Sequence, residues 1–140
     1  PNRPGGWFNP ATGFGALGYG PPAAIGAALA APGAPVVCLT GDGGFQFVLG
    51  ELGAAIDEQV PVIFILWNNQ GYQEIERAMV EVGINPVGVR PSAPDYIKIA
   101  EAYGLPSQRL SNINELPAAL LTAKASGKPY LIEIDEKLVD

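Results

Sequence analysis

The chain has 140 residues, 48% hydrophobic and only 16% charged, which suits one folded domain with an apolar core and excludes a disordered chain. Fourteen acids against eight bases leave a formal charge of −6, which argues against a broad electrostatic grip on nucleic acid or on an anionic membrane. There is no His, and Cys38 is the single Cys, so Ser-His-Asp and Cys-His catalysis, Cys/His zinc sites and an intramolecular disulfide are all excluded.

No run of about 18 apolar residues is present, and the opening Pro1-Asn2-Arg3-Pro4-Gly5-Gly6 lacks a secretory pattern. A soluble, cytoplasmic protein is expected, with no membrane and no nucleic acid among its partners. The opening lacks Met and reads as linker, so the chain is expected to be the end piece of a longer protein.

In chain order, residues 1 to 22 are rich in Gly, Pro and aromatics without a period, as in an ordered loop that packs against another surface. Pro22 to Ala31 reads as a helix, with Pro at its start and Pro-Gly at its end. Val36 to Thr40 is a short apolar run between Pro35 and Gly41, the pattern of a buried parallel strand. Phe45 to Gln59 reads as one helix, because Phe45, Val48, Leu49, Leu52, Ala55 and Ile56 fall near one face. Val62 to Trp67 is the next strand. The two strands and the helix between them make a right-handed parallel βαβ unit.

Tyr72 to Val82 is a helix by the same reading, Gly83 to Pro94 a loop, and Asp95 to Tyr103 a helix capped by Asp95 and ended by Gly104. Ser107 to Leu110 is a weak strand. Asn112 to Ser126 is a helix capped by Asn112 or Asn114, and Tyr130 to Asp135 a closing strand. The alternation predicts a single α/β domain over residues 1–140, doubly wound, with a mainly parallel sheet and helices on both faces.

Ligands of such sheets sit beyond the carboxyl ends of the strands. Two loops occupy that position: Gly41-Asp42-Gly43-Gly44 and Asn68-Asn69-Gln70-Gly71. Asp42 is the only acid among the first fifty residues, and no Lys or Arg occurs from Pro4 through Glu76. A cation with hard oxygen ligands is therefore its natural partner. Mg²⁺ fits, with Asp42, the Asn69 side chain and the Gly71 carbonyl as three oxygens and a diphosphate and water for the rest. Gly43 and Gly44 open the next helix, where free N–H groups favour an anion and a missing side chain lets phosphate approach. Read separately, each loop is equally a tight turn. Gly13-x-Gly15-x-x-Gly18 matches a dinucleotide fingerprint, but no strand precedes it and Pro21-Pro22 delays the helix.

Gly41-Asp42-Gly43, then the twenty-four residues Gly44 to Trp67, then Asn68-Asn69, resembles the diphosphate-binding signature of thiamine diphosphate (ThDP) enzymes. The run Gly13 to Ala27 is similar to the segment before that signature in the acetolactate synthase and 2-oxo acid decarboxylase branch. The resemblance extends from about Phe8 to Ile134 and covers the C-terminal cofactor-binding domain. It implies ThDP and Mg²⁺ as cofactors, with Asp42, Asn69 and the Gly71 carbonyl as metal ligands. It sets Gly41, Gly43, Gly44 and Tyr72 in the cofactor site, Leu17 beneath the thiazolium, and the Gly15 carbonyl and Leu17 N–H on the aminopyrimidine, with residues 1–21 contributing to the pocket. It implies addition of a cofactor ylid to the keto carbon of a small 2-oxo acid and loss of CO₂, in decarboxylation or carboligation.

The family's glutamate belongs to a pyrimidine-binding domain, normally on a partner subunit. No catalytic residue is therefore expected in this chain, which alone should be inactive, and a homodimer or homotetramer is implied. Where pyruvate-decarboxylase-like members carry an acid, this chain has Ile75, which with Glu74 is a candidate for the substrate site. Glu74 and Glu76 flank it with no base seen nearby, so one of them is a candidate for a cationic substrate tail. The stretches Gly71 to Ile75 and Asn85 to Val89 are similar to guanidino-2-oxo-acid decarboxylases. The alternatives are a flavodoxin-like nucleotide-binding module and a structural relative that has lost the cofactor.

Overall fold

The computed structural model describes residues 6–10 and 13–139. The expectations for residues 1–5, 11–12 and 140, including part of the N-terminal loop, lie outside them. Among the described residues, six helices and four strands alternate: α1 Gly20–Ala30, β1 Val36–Gly41, α2 Asp42–Gln46, α3 Glu51–Asp57, β2 Val62–Asn68, α4 Gln73–Glu81, α5 Tyr96–Ala102, β3 Ser107–Arg109, α6 Leu116–Ser126 and β4 Tyr130–Asp135. Short 3₁₀ turns, Ile113–Glu115 and Glu136–Leu138, precede α6 and follow β4.

The sheet order is β1-β2-β4-β3 and every pair is parallel. Connection handedness explains where the helices go. The steps from β1 to β2 and from β2 to β3 move one way across the sheet, whereas β3 to β4 moves back. Right-handed crossovers then put α6 on the face opposite the others. Accordingly Phe64, Leu66 and Leu131 pack with Ala24, Ile25, Phe45, Leu52, Tyr96 and Ala100 on one face. Ile63, Ile132 and Ile134 pack with Ala119 and Ala123 of α6 on the other. That second face is covered only in part, since Val37 and Leu39 of β1 are 52% and 60% exposed.

The expected helix over 45–59 is two helices. Glu51 N–H donates to the Val48 carbonyl and Gly53 N–H to the Gly50 carbonyl, three-residue spacings that tighten the chain between α2 and α3. Glycines at 50 and 53 weaken the helix there, and tertiary packing overrides the apolar period. Phe45, Leu52 and Ala55 still reach the core, fully buried. Asp95 caps α5 by accepting from Lys98 N–H at 3.5 Å, whereas Asn112 caps the 3₁₀ turn Ile113–Glu115, accepting from Asn114 N–H at 2.9 Å, and α6 itself starts only at Leu116 with no side-chain cap. Cys38 is a buried strand residue whose thiol burial pushes up to about 12, an inert apolar position.

Candidate functional site

Parallel pairing of β1 with β2, which aligns Gly41 with Trp67, brings the two strand-end loops to one edge of the sheet. Asp42 starts α2 there and is 1% exposed. Its Oδ1 accepts from Asn69 N–H at 3.4 Å, while the buried Oδ2 has no hydrogen-bond partner. Burial raises its carboxyl above the ordinary value, and the backbone N–H groups of Asn69, Gly43 and Gly71 pull it partly back.

The Asn69 side chain stands beside it. One amide atom lies 3.0 Å from Asp42 Oδ1 and 3.0 Å from the Gly71 carbonyl oxygen, and the other lies 3.1 Å from Gln73 Oε1, so the amide can turn either its nitrogen or its oxygen into the site. With its oxygen inward, the amide joins the Asp42 and Gly71 oxygens with no proton between them. Adjacent ligands of an octahedral ion at about 2.0–2.1 Å are about 2.8–3.0 Å apart, whereas the about 2.3–2.6 Å bonds of Ca²⁺ would need a wider set. The donor set therefore fits a small divalent cation. Among the described residues no group of three or more His, Cys, Asp or Glu side chains comes together, so one carboxylate, one amide and one carbonyl are what this edge offers.

Close backbone approach shapes the site. A Cβ on Gly71 would stand 2.5 Å from the Val89 carbonyl oxygen, which also accepts from Tyr72 N–H at 2.8 Å. A Cβ on Gly43 would lie 2.6 Å from the Tyr72 ring, and one on Gly44 would lie 3.3 Å from Gly18 N and 3.8 Å from Leu17 Cδ2. Tyr72, Gly18 and Leu17 thus stand where side chains on Gly43 and Gly44 would reach, so these glycines let protein segments approach closely. Leu17 is thereby gathered to the Asp42 edge and stays 52% exposed. Gly15, in the left-handed region at φ 65°, has nothing near its missing side chain.

The carboxylates of α4 differ from expectation. Glu74 pairs with Arg77 at 2.9 Å, and Glu76 accepts from Arg90 Nε at 3.1 Å and Nη2 at 2.9 Å. Each has a base that the sequence reading found missing, because helix spacing brings Arg77 and the 83–94 loop brings Arg90. Glu74 and Ile75 are both exposed at the start of α4.

The sequence reading also missed the supports of the Asn69 loop. Asn68 Oδ1 accepts from Gln70 N–H at 3.1 Å, and Asn68 Nδ2 donates to Glu133 Oε1 at 2.8 Å. Glu133, 3% exposed, accepts in turn from Arg109 Nε at 2.9 Å. Gln73 Nε2 donates to Glu136 Oε2 at 3.1 Å, and Trp67 Nε1 donates to Glu136 Oε1 at 3.3 Å. The available signal was an acid inside the apolar run Tyr130 to Ile134, which a buried strand accepts only when paired.

The family model described as thiamine pyrophosphate enzyme, C-terminal TPP binding domain, matches residues 1–134. A protein of Pseudomonas aeruginosa named as a probable 2-ketoarginine decarboxylase is 40% identical over 132 residues, 94% of this chain and 23% of its own length. The acetolactate synthase isozyme 3 large subunit of Escherichia coli is 36% identical over 124 residues, 87% of this chain and 21% of its own. Among solved structures, the thiamine diphosphate-dependent 4-hydroxybenzoylformate decarboxylase of Rhodococcus jostii RHA1 superposes with a TM-score of 0.79 at 32% identity, covering 86% of this chain and 23% of that one. The chain thus spans about a fifth to a quarter of these relatives' length. No helix among the described residues is long and apolar enough to cross a membrane.

Proposed function

The chain belongs to the thiamine pyrophosphate enzymes, as a C-terminal TPP-binding domain of that family, and from this premise we propose that it serves a ThDP- and Mg²⁺-dependent 2-oxo acid decarboxylase or carboligase. The observation that supports the metal assignment is the buried, orphaned Asp42 Oδ2, beside an Asn69 amide atom that lies 3.0 Å from both Asp42 Oδ1 and the Gly71 carbonyl oxygen. These residues would hold Mg²⁺, with the backbone at Gly43 and Gly44 toward the diphosphate.

Bound ThDP supplies a carbon nucleophile for a keto group and an acceptor for the electrons left when CO₂ departs. The chain's own contribution is geometric. Leu17, gathered against Gly44, would support the thiazolium, with its N–H and the Gly15 carbonyl on the aminopyrimidine. Gly41 and Tyr72 flank the anion end, and Tyr72 packs its ring 6.3 Å from that of Phe47. The remaining catalytic groups would come from a pyrimidine-binding domain on a partner subunit of a homodimer or homotetramer.

A guanidino 2-oxo acid is the finer substrate reading, supported by the likeness to a probable 2-ketoarginine decarboxylase. Glu74, exposed at the start of α4, would exchange Arg77 for the substrate's guanidinium. In the longest natural form of the protein, calorimetric titration of ThDP should show binding with Mg²⁺ and none with EDTA; metal-independent binding would overturn the reading. Glu74→Gln is expected to narrow the preference for a guanidino over an aliphatic 2-oxo acid by about tenfold, the worth of one charge-assisted hydrogen bond. An unchanged kcat/KM ratio removes Glu74 from the substrate site.

A further inference from the structure

An amide can present either its oxygen or its nitrogen to Asp42 and Gly71, and the two choices have opposite consequences. With nitrogen inward, Asn69 would donate to Asp42 Oδ1 and to the Gly71 carbonyl, both at 3.0 Å, and close the site with its own hydrogen bonds. With oxygen inward it completes the set of three oxygens. Something outside the site must favour the second arrangement.

We propose that Glu136 and Gln73 are positioning residues that fix the polarity of the Asn69 amide; this rests on the reading of Asp42, Asn69 and Gly71 as cation ligands. Trp67 Nε1 can only donate, and an ionised carboxylate can only accept. Glu136 takes the Trp67 proton on Oε1 at 3.3 Å, and its Oε2 then requires a donor from Gln73, met by Nε2 at 3.1 Å. Gln73 is left to offer Oε1 to Asn69, 3.1 Å away, so Asn69 turns its nitrogen outward and its oxygen to Asp42 and Gly71. Each link has one sense only, so the carboxylate at residue 136 dictates which atom residue 69 shows to the cation. Outer groups that orient ligands in this way typically affect metal affinity by about 10–100-fold.

While Trp67 still donates, Glu136→Gln reverses the links to Gln73 and from Gln73 to Asn69. Its side-chain oxygen would accept from Trp67, its nitrogen would donate to Gln73, and Asn69 would turn nitrogen inward. Mn²⁺ affinity, read by electron paramagnetic resonance on the longest natural form of the protein, should then fall about 10–100-fold. The thermal midpoint in EDTA should hold or rise, because the reversed amide gains two acceptors. Gln73→Leu, which keeps the Glu136 charge but breaks the chain, should also weaken Mn²⁺. The double variant Gln73→Glu with Glu136→Gln restores the original sense, since the new carboxylate accepts from both neighbours, and should recover Mn²⁺ binding.

Loss of affinity in Glu136→Gln alone, with Gln73→Leu and the double variant behaving otherwise, would reduce the effect to charge and overturn the proposal. A variant that loses Mn²⁺ and thermal stability together, without recovery in the double variant, overturns it as well. Wild-type protein that binds neither Mn²⁺ nor ThDP would defeat the cation site itself, and the relay with it. Intact wild-type binding beside unchanged variants defeats the relay alone.

Discussion

Asp42→Asn is expected to abolish cation-dependent ThDP binding and, in EDTA, to raise the melting temperature. Both effects have one cause. The carboxylate is buried with Oδ2 unpartnered and no ion pair given to it among the described residues, so desolvation raises its carboxyl above the ordinary value. An unsatisfied buried polar atom costs about 1–3 kcal/mol, more when charged. The neutral amide removes the charge and can donate to the oxygens of Asn69 and Gly71, while the cation loses its one charged ligand.

The pH dependence has a definite sign. Because the native carboxyl binds its proton more tightly than the unfolded one, Asp42 adds stability at low pH. That contribution is lost as pH rises from the unfolded value, 3.8, through the raised native value. Urea titrations across that range should show a falling term in wild type that is missing from Asp42→Asn. A variant that melts lower in EDTA, or binds ThDP with Mg²⁺ as well as wild type does, would show that Asp42 is a structural cap.

Gly71→Ala is the second large effect. Its methyl would arrive 2.5 Å from the Val89 carbonyl oxygen, a backbone atom held by Tyr72 N–H and unable to swing aside. Overpacking of this kind costs about 1–3 kcal/mol. The chain must relieve it by moving the 68–71 loop, which carries the Gly71 carbonyl away from the Asn69 and Asp42 oxygens. Stability and Mg²⁺ affinity should therefore fall together, the affinity by at least about tenfold. Gly26→Ala is the control. That exposed α1 position has nothing within 4 Å of the new atom, and Ala there should add about 0.5–1 kcal/mol without touching the cation. Equal behaviour of the two variants in urea unfolding and Mg²⁺ titration would dismiss the steric argument.

Strands β1, β2 and β4 were legible because each is a short, mostly apolar run bounded by turn residues, whereas the polar β3, Ser107-Gln108-Arg109, gave only a weak signal, and all four begin where they were expected. The pairing of Gly41-Asp42 with Asn68-Asn69 was legible too, because a single βαβ crossover leaves the two loops little freedom. Helix continuity between 45 and 59 was not. The apolar period runs through Val48 and Leu49, but tight turns around Gly50 divide it, and only packing decides between one helix and two.

The sequence by itself determined the kind of chemistry available. Without His, with one buried Cys, and with one acid in a long stretch devoid of bases, oxygen ligation of a cation was the option left at this edge. The tertiary structure alone decided how those oxygens are held. Glu133 meets Asn68 across sixty-five positions and Glu136 meets Gln73 across sixty-three. Arg90 crosses fourteen to neutralise Glu76. Such contacts leave no local period, because they depend on which strands become neighbours, and a carboxylate only gains a direction once the donors around it are fixed in space.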